Sequence, residues 1–192
     1  NIDRDTDLYA VFNEDCDASV VVKENCKLSL FSTYNNKAKI NLRIILEENS
    51  EVNETEVFIG NKDESFDVNI EIIHNGMRSN ANVLVKGILF DNARSINHGK
   101  LRIEKSAQKC NTFLSEHILL LSKDAKADAI PSLEIEAADV NARHSASVTH
   151  IDDSKLFYLT SRGISENEAK KMIVLSFLEN CFSRIDNESM RE

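Results

Sequence analysis

Glycine and proline are nearly missing from this chain: its 192 residues contain five Gly and one Pro. That scarcity excludes collagen-like and low-complexity sequence. It also sets a puzzle, because an all-β protein closed by hairpins usually needs glycine in its turns. Tryptophan is absent and aromatic residues make up 6% of the chain, a poor supply for sugar-binding platforms. No apolar run approaches the roughly 18 residues that a membrane-spanning helix requires, so no membrane partner is expected. The four cysteines, Cys16, Cys26, Cys110 and Cys181, form no C-x-x-C pair and show no zinc-finger spacing. Without a secretory leader in view, they read as reduced thiols of a cytoplasmic protein. The chain opens on Asn1 rather than Met, as a fragment or a processed product would.

Positive charge is also in short supply. Asp and Glu number 32 against 23 Lys and Arg, a formal charge of −9, which excludes a dedicated nucleic-acid backbone binder. Asp3, Asp5 and Asp7 alternate near the start but lack the turn glycine and distal glutamate of a calcium loop. The phosphate-binding pattern G-x-x-x-x-G-K-[ST] is absent, so nucleotide hydrolysis by that route belongs elsewhere.

What is present is alternation. From about residue 18 to 150, apolar residues recur at every second position, as in Val20/Val22, Leu28/Leu30 and Ile40/Leu42/Ile44/Leu46. Val57/Ile59, Phe66/Val68/Ile70/Ile72, Val83/Val85, Ile88/Phe90, Leu101/Ile103 and Ile118/Leu120 continue the series, which ends with Leu133/Ile135 and Val140/Ala142. Such a period predicts short strands with one buried face. Asn75-Gly76 is the only Asn-Gly or Asp-Gly pair, whereas a meander of hairpins should show several. Between the strands stand pairs such as Glu24-Asn25, Asn35-Asn36, Glu48-Asn49 and Lys123-Asp124. Asparagine tolerates positive φ better than most residues, and the chain has 20 of them. The expectation is an all-β solenoid over residues 1–150, with asparagine at its corners.

After Ile151 the pattern changes. Asp152-Asp153-Ser154 can cap a short helix carrying Leu156, Phe157 and Leu159, which stops at Arg162-Gly163. Ser165-Glu166-Asn167-Glu168 has the form of a capping box. The helix expected over 166–185 places Ala169, Met172, Ile173, Phe177, Cys181 and Ile185 along one stripe, widened by Val174, Leu178 and Phe182. Residues 151–192 are therefore expected to form a C-terminal helical segment that packs on the β core and on a partner.

Asp139-Val140-Asn141-Ala142-Arg143-His144-Ser145-Ala146-Ser147-Val148 is followed by Leu156-Phe157-Tyr158-Leu159 and Ser161-Arg162-Gly163-Ile164. This resembles the SufB/SufD family, which carries a D-V-x-x-x-H-x-A-T-V stretch and then L-F-Y-L-x-S-R-G-I. Weaker matches at Ile73-His74-Asn75, Lys86-Gly87-Ile88-Leu89, Ala107-Gln108-Lys109 and Pro131-Ser132-Leu133-Glu134-Ile135 extend the likeness over residues 70–182 or so. The resemblance implies a right-handed parallel β-helix with flanking helices. It also implies a non-catalytic subunit of a SUF-type iron–sulfur cluster assembly complex. Such a subunit docks a SufC-like ABC-type ATPase through its terminal helices and pairs with another SufB/SufD-type subunit, or with a second copy, through the β-helix. It binds no cofactor stably, and a cluster forms transiently at the subunit interface.

Carried over residue by residue, His144 falls on the family histidine tied to cluster assembly, and it is the candidate metal ligand. The family's scaffold cysteine, 28 residues earlier, lands on Glu116, and Ser145 stands where SufB-type members have glutamate. The chain therefore reads as SufD-like or as a divergent member. Phe177, Leu178 and Phe182 are the candidate ATPase contacts. From the residues alone, His144 shares its strand face with Val140, Ala142, Ala146, Val148 and His150, which equally suits a histidine satisfied inside the core. Two rival functions stay open: an interaction solenoid without iron chemistry, and a β-helix enzyme acting on polysaccharide through paired carboxylates.

Overall fold

The computed structural model describes residues 1–34 and 37–184; Asn35-Asn36 and Ile185, named above, lie outside the described residues. Eleven strands run β1 (Thr6–Phe12), β2 (Cys16–Val22), β3 (Lys27–Tyr34), β4 (Ala38–Leu46), β5 (Glu51–Gly60), β6 (Ser65–His74), β7 (Asn80–Leu89), β8 (Arg94–Ile103), β9 (Asn111–Leu120), β10 (Lys126–Ile135) and β11 (Asn141–His150). Helices α1 (Asp153–Ser161) and α2 (Glu166–Phe182) follow.

Odd strands form one sheet in the order β1-β3-β5-β7-β9-β11 and even strands the other, β10-β8-β6-β4-β2. Every pairing is parallel. The chain therefore alternates between the sheets and winds forward as a parallel β-solenoid. The step between stacked residues widens from 22 at Thr6↔Leu28 to 32 at Arg94↔Lys126. Strand pairing begins with β1, earlier than the alternation from residue 18 suggested.

Stacked corners explain the missing glycine. Asn25, Asn49, Arg78 and Lys109 hold φ between 55° and 61° at successive turns. Each hands its amide to the next turn: Asn25 to the Glu48 carbonyl, Asn49 to Met77 and Arg78 to Gln108. The Asn49 side-chain amide donates to Asn25 Oδ1 at 3.1 Å, and Arg78 Nε donates to Asn49 Oδ1 at 2.7 Å. A corner so bonded on both sides tolerates a non-glycine in the left-handed region. Asparagine fills two of these positions, and arginine and lysine fill the others. A second corner uses Lys62 and Asp91, at φ 52° and 50°.

The core lies between the sheets and is mostly aliphatic, with an aromatic file Phe12, Tyr34, Phe58 and Phe66 whose neighbouring centroids stand 5.1–6.5 Å apart. Gly87 is required by close approach, since a Cβ there would stand 2.3 Å from the Phe58 ring. In β5 the inward face is Val52, Glu54, Glu56 and Phe58, while Val57 and Ile59 point outward. The alternation had suggested the reverse. Val57 and Ile88 instead belong to an outer apolar patch under α2, together with Leu84, Leu119 and Leu178.

Both helices start as their capping residues dictate. Asp152 accepts from the Ser154 and Lys155 amides, and Ser165 and Glu168 complete a reciprocal capping box. Gly163, at φ 87°, ends α1. No helix among the described residues is long and apolar enough to cross a membrane.

Candidate functional site

The last turn of a solenoid has nothing stacked beyond it, and here that open end gathers the candidate residues. The odd sheet ends at β11 and the even sheet at β10. Asn141 and Ile151 donate their amides back toward β9, to Cys110 and Leu120. Alternation then turns the backbone groups of Ala142, His144, Ala146, Val148 and His150 to the free edge. On β10, Lys126 and Glu136 donate to Ala93 and Ile103, so the odd residues face outward. The single proline, Pro131, sits among them, where a missing N–H breaks no ladder bond. Leu133, Ile135 and Val148 are exposed at this end.

His144 stacks on Leu114 of β9 and shares the inward row with Ala142 and Ala146, as its parity required. It is nonetheless exposed, because no further strand among the described residues covers it. It makes no hydrogen bond or ion pair among the described residues. Glu116 stacks beneath Ala146 and is a diagonal inward neighbour of His144. Its carboxyl is buried, Oε2 has no hydrogen-bond partner, and burial pushes its pKa up to about 7. Gly99 on the opposite sheet makes room for it: a Cβ there would stand 2.3 Å from Leu114 Cδ2 and 3.0 Å from Glu116 Oε1. His117 points the other way, with Nδ1 2.7 Å from Ser147 Oγ on the outer face. Glu116 and His117 are therefore not a catalytic pair.

A second feature adjoins the open end. A cleft of about 830 Å³ runs between α1, α2 and the ends of β9 and β11, lined by Leu119, His150, Tyr158, Met172, Ile173 and Phe177 among others. On the same two helices, Phe157 is 74% exposed and Phe182 45%. The three docking candidates separate here. Leu178 is only 6% exposed and packs on the outer face of the sheet with Leu84, Ile88 and Cys181. That packing corrects its assignment as a partner contact. Phe177 is half-buried, with its ring 4.1 Å below Lys86 Nζ. Phe182 stays open, joined by Met172 and Leu175, which the stripe reading had placed inside or passed over.

The interior holds what the alternation could not reveal. Glu54 and Glu56 are fully buried, none of their four carboxylate oxygens has a full hydrogen bond among the described residues, and the Tyr34 hydroxyl lies nearest Glu56. Burial is the main cause that pushes Glu54 up to about 8 and Glu56 well above the usual carboxylate range. Another buried chain links His74 Nδ1 to Ser79 Oγ at 2.8 Å and Ser79 Oγ to Cys110 Sγ at 3.2 Å; burial lowers His74 to about 4 and keeps it neutral. Cys16 and Cys26 remain free thiols, and no group of three or more His, Cys, Asp or Glu among the described residues could hold a metal.

Residues 14–177 match the family model described as SUF system FeS cluster assembly, SufBD core domain. Over 136 residues the chain is 35% identical to the iron–sulfur cluster assembly protein SufD of Bacillus subtilis, covering 71% of this chain and 31% of that one. Over 145 residues it is 32% identical to SufD of Escherichia coli, covering 76% and 34%. An iron–sulfur cluster assembly SufBD family protein of Mycobacterium tuberculosis is 35% identical over 120 residues, 58% of this chain and 30% of that one. The chain is a parallel solenoid carrying a helical hairpin, and it belongs to the SufBD family of SUF-system iron–sulfur cluster assembly proteins. It spans about a third of the length of the SufD relatives.

Proposed function

We propose that this chain is a SufD-type, non-catalytic subunit of a cytoplasmic SUF assembly machine. It pairs with a second SufB/SufD-type subunit through the free edges of β10 and β11, and docks a SufC-like ABC-type ATPase on its helical hairpin. The observation that carries the reading is the open end. Two strand edges lie side by side with exposed Leu133, Ile135 and Val148, and unpaired edges invite pairing unless they are blunted. His144 stands on that edge with both ring nitrogens free of partners among the described residues, and neutral imidazole is a sound borderline ligand for iron. Iron and sulfide are cargo that meets at the joint, not a resident group. The cleft beside α2, with Phe177 at its wall, suits an apolar projection of the ATPase, and exposed Phe182 extends the apolar surface of α2. Nucleotide-driven motion of the ATPases would open and close the joint.

Anaerobic reconstitution of the paired complex with ferrous iron and sulfide tests this. Wild type should yield the charge-transfer absorption of a cluster, and His144→Ala should lose most of it while pairing is retained. Equal cluster yield from both, or no cluster with any partner, would leave a plain interaction solenoid.

A further inference from the structure

A compartment away from the open end carries its own chemistry, independent of the role proposed above. Ser32 and Tyr34 on β3 and Glu54 and Glu56 on β5 occupy alternate inward positions of two paired strands, with Ser32 directly against Glu56. All four residues are at most 1% exposed. Ser32 Oγ, the Tyr34 hydroxyl and the four carboxylate oxygens are six buried polar atoms, none with a full hydrogen bond among the described residues; the closest approaches are the Tyr34 hydroxyl to Glu56 and Ser32 to Tyr34. The two hydroxyls make this more than an acidic pair: each adds an oxygen donor to the same compartment. Tyr34 lies close enough to both glutamates for their charges, after burial, to raise its own pKa.

The opposite sheet offers the carboxylates no partner beside them. The inward residues of β4 and β6 across the core are Ala38, Ile40, Leu42, Ile44 and Leu46, then Phe66, Val68, Ile70 and Ile72, with His74 only at the end of β6, and Glu116 adds a like charge near Glu56. Arg184 acts on Glu54 from a distance, but its guanidinium donates to the Asn82 carbonyl. Buried polar groups in folded proteins nearly always find partners, and buried carboxylates are paired or coordinate metals.

We infer that Glu54, Glu56, Tyr34 and Ser32 form an internal binding site for one oxygen-preferring divalent cation. The donor set is entirely oxygen, as hard cations of the calcium, magnesium and manganese class select. Two carboxylates also neutralise one dication, leaving no net charge in the core. Binding replaces the protons that the acids otherwise hold, so each cation taken up releases protons to solvent. The row Ala10, Ser32 and Glu56 stacks toward the first turn, where Ala10 is only half-buried.

Terbium, a hard-oxygen probe whose emission is sensitised by tyrosine at short range, tests the site on the full chain, with Mn²⁺ as competitor. Wild type should show sensitised emission that Mn²⁺ quenches by displacement, with uptake of one Mn²⁺ and a rise in Tm. Tyr34→Phe should abolish the emission and keep most Mn²⁺ binding, because Tyr9 and Tyr158 lie elsewhere. Glu54→Gln with Glu56→Gln, which keeps the shape and removes the charge, should weaken Mn²⁺ on the order of 100-fold and erase the Tm rise. Three results would each overturn the inference: no emission and no Mn²⁺ uptake, full emission from Tyr34→Phe, or unchanged Mn²⁺ affinity in the double glutamine variant.

Discussion

Lys86 Nζ on β7 stands 4.1 Å above the centroid of the Phe177 ring on α2. Lys86 is 8% exposed and contacts no carboxylate among the described residues; burial lowers its pKa. Its charge is held instead by the ring and by the C-terminal turns of a helix with no basic residue of its own there, an end where cations are favoured. This contact fastens the helical hairpin to the solenoid. A double-mutant cycle of Lys86→Met and Phe177→Leu, read by chemical denaturation, should give a coupling of about 0.5–2 kcal/mol. Additive single effects would show that the hairpin is held by apolar packing alone.

Gly99 and Gly163 should respond oppositely in kind to the same substitution. A methyl at Gly99 meets Leu114 and Glu116 inside the core, so Gly99→Ala should destabilise the fold by about 1–3 kcal/mol through overpacking. Gly163 has open space around it and φ of +87°, so Gly163→Ala should cost about 1 kcal/mol through backbone conformation alone. Gly99→Ala should also disturb the Glu116 carboxyl; Gly163→Ala should not. Thermal unfolding together with the pH profile of each variant separates the two causes.

The buried acids give stability a definite pH slope. Glu54 at about 8, Glu116 at about 7 and Glu56 above the usual range all hold protons in the folded state that the unfolded chain releases near its ordinary 4.5. The charged and titratable groups facing them are Tyr34, Arg184 on Glu54, and Glu116 on Glu56, with neutral His74 at the far end of β6. Stability from these groups is therefore complete below about pH 4.5 and is lost as pH rises through 7 and 8, at about 1.4 kcal/mol per pH unit for each titrating group. With chelator present, denaturation midpoints should fall from pH 5 to pH 9. Glu54→Gln with Glu56→Gln should flatten most of that fall, and a flat wild-type profile would contradict the assignment.

Much of this architecture is legible in the sequence, and its gaps have physical causes. Strands, caps and the stop at Gly163 follow from period-two runs, Asp152, Ser165 and one glycine, all local signals. Strand β5 defeats the alternation rule because a charged residue normally marks the solvent face, whereas Glu54 and Glu56 point inward and Val57 and Ile59 outward. Only the tertiary cover of α2 makes an outer apolar row sensible. The same cover takes Leu178 from the docking surface. His144 lies on the inward row that its parity requires, but its exposure depends on β11 being the outermost strand among the described residues, which alternation alone does not disclose.

The most direct test of the central claim is co-elution of the full chain, expressed with a SufC-type ATPase and a SufB-type subunit, on size exclusion. The three should run as one complex. Val148→Glu, on the free edge, should release the SufB-type subunit and keep the ATPase, while Phe182→Glu, on the hairpin rim, should release the ATPase and keep the other subunit. Elution of the wild-type chain alone, or retention of both partners by both variants, would contradict the account.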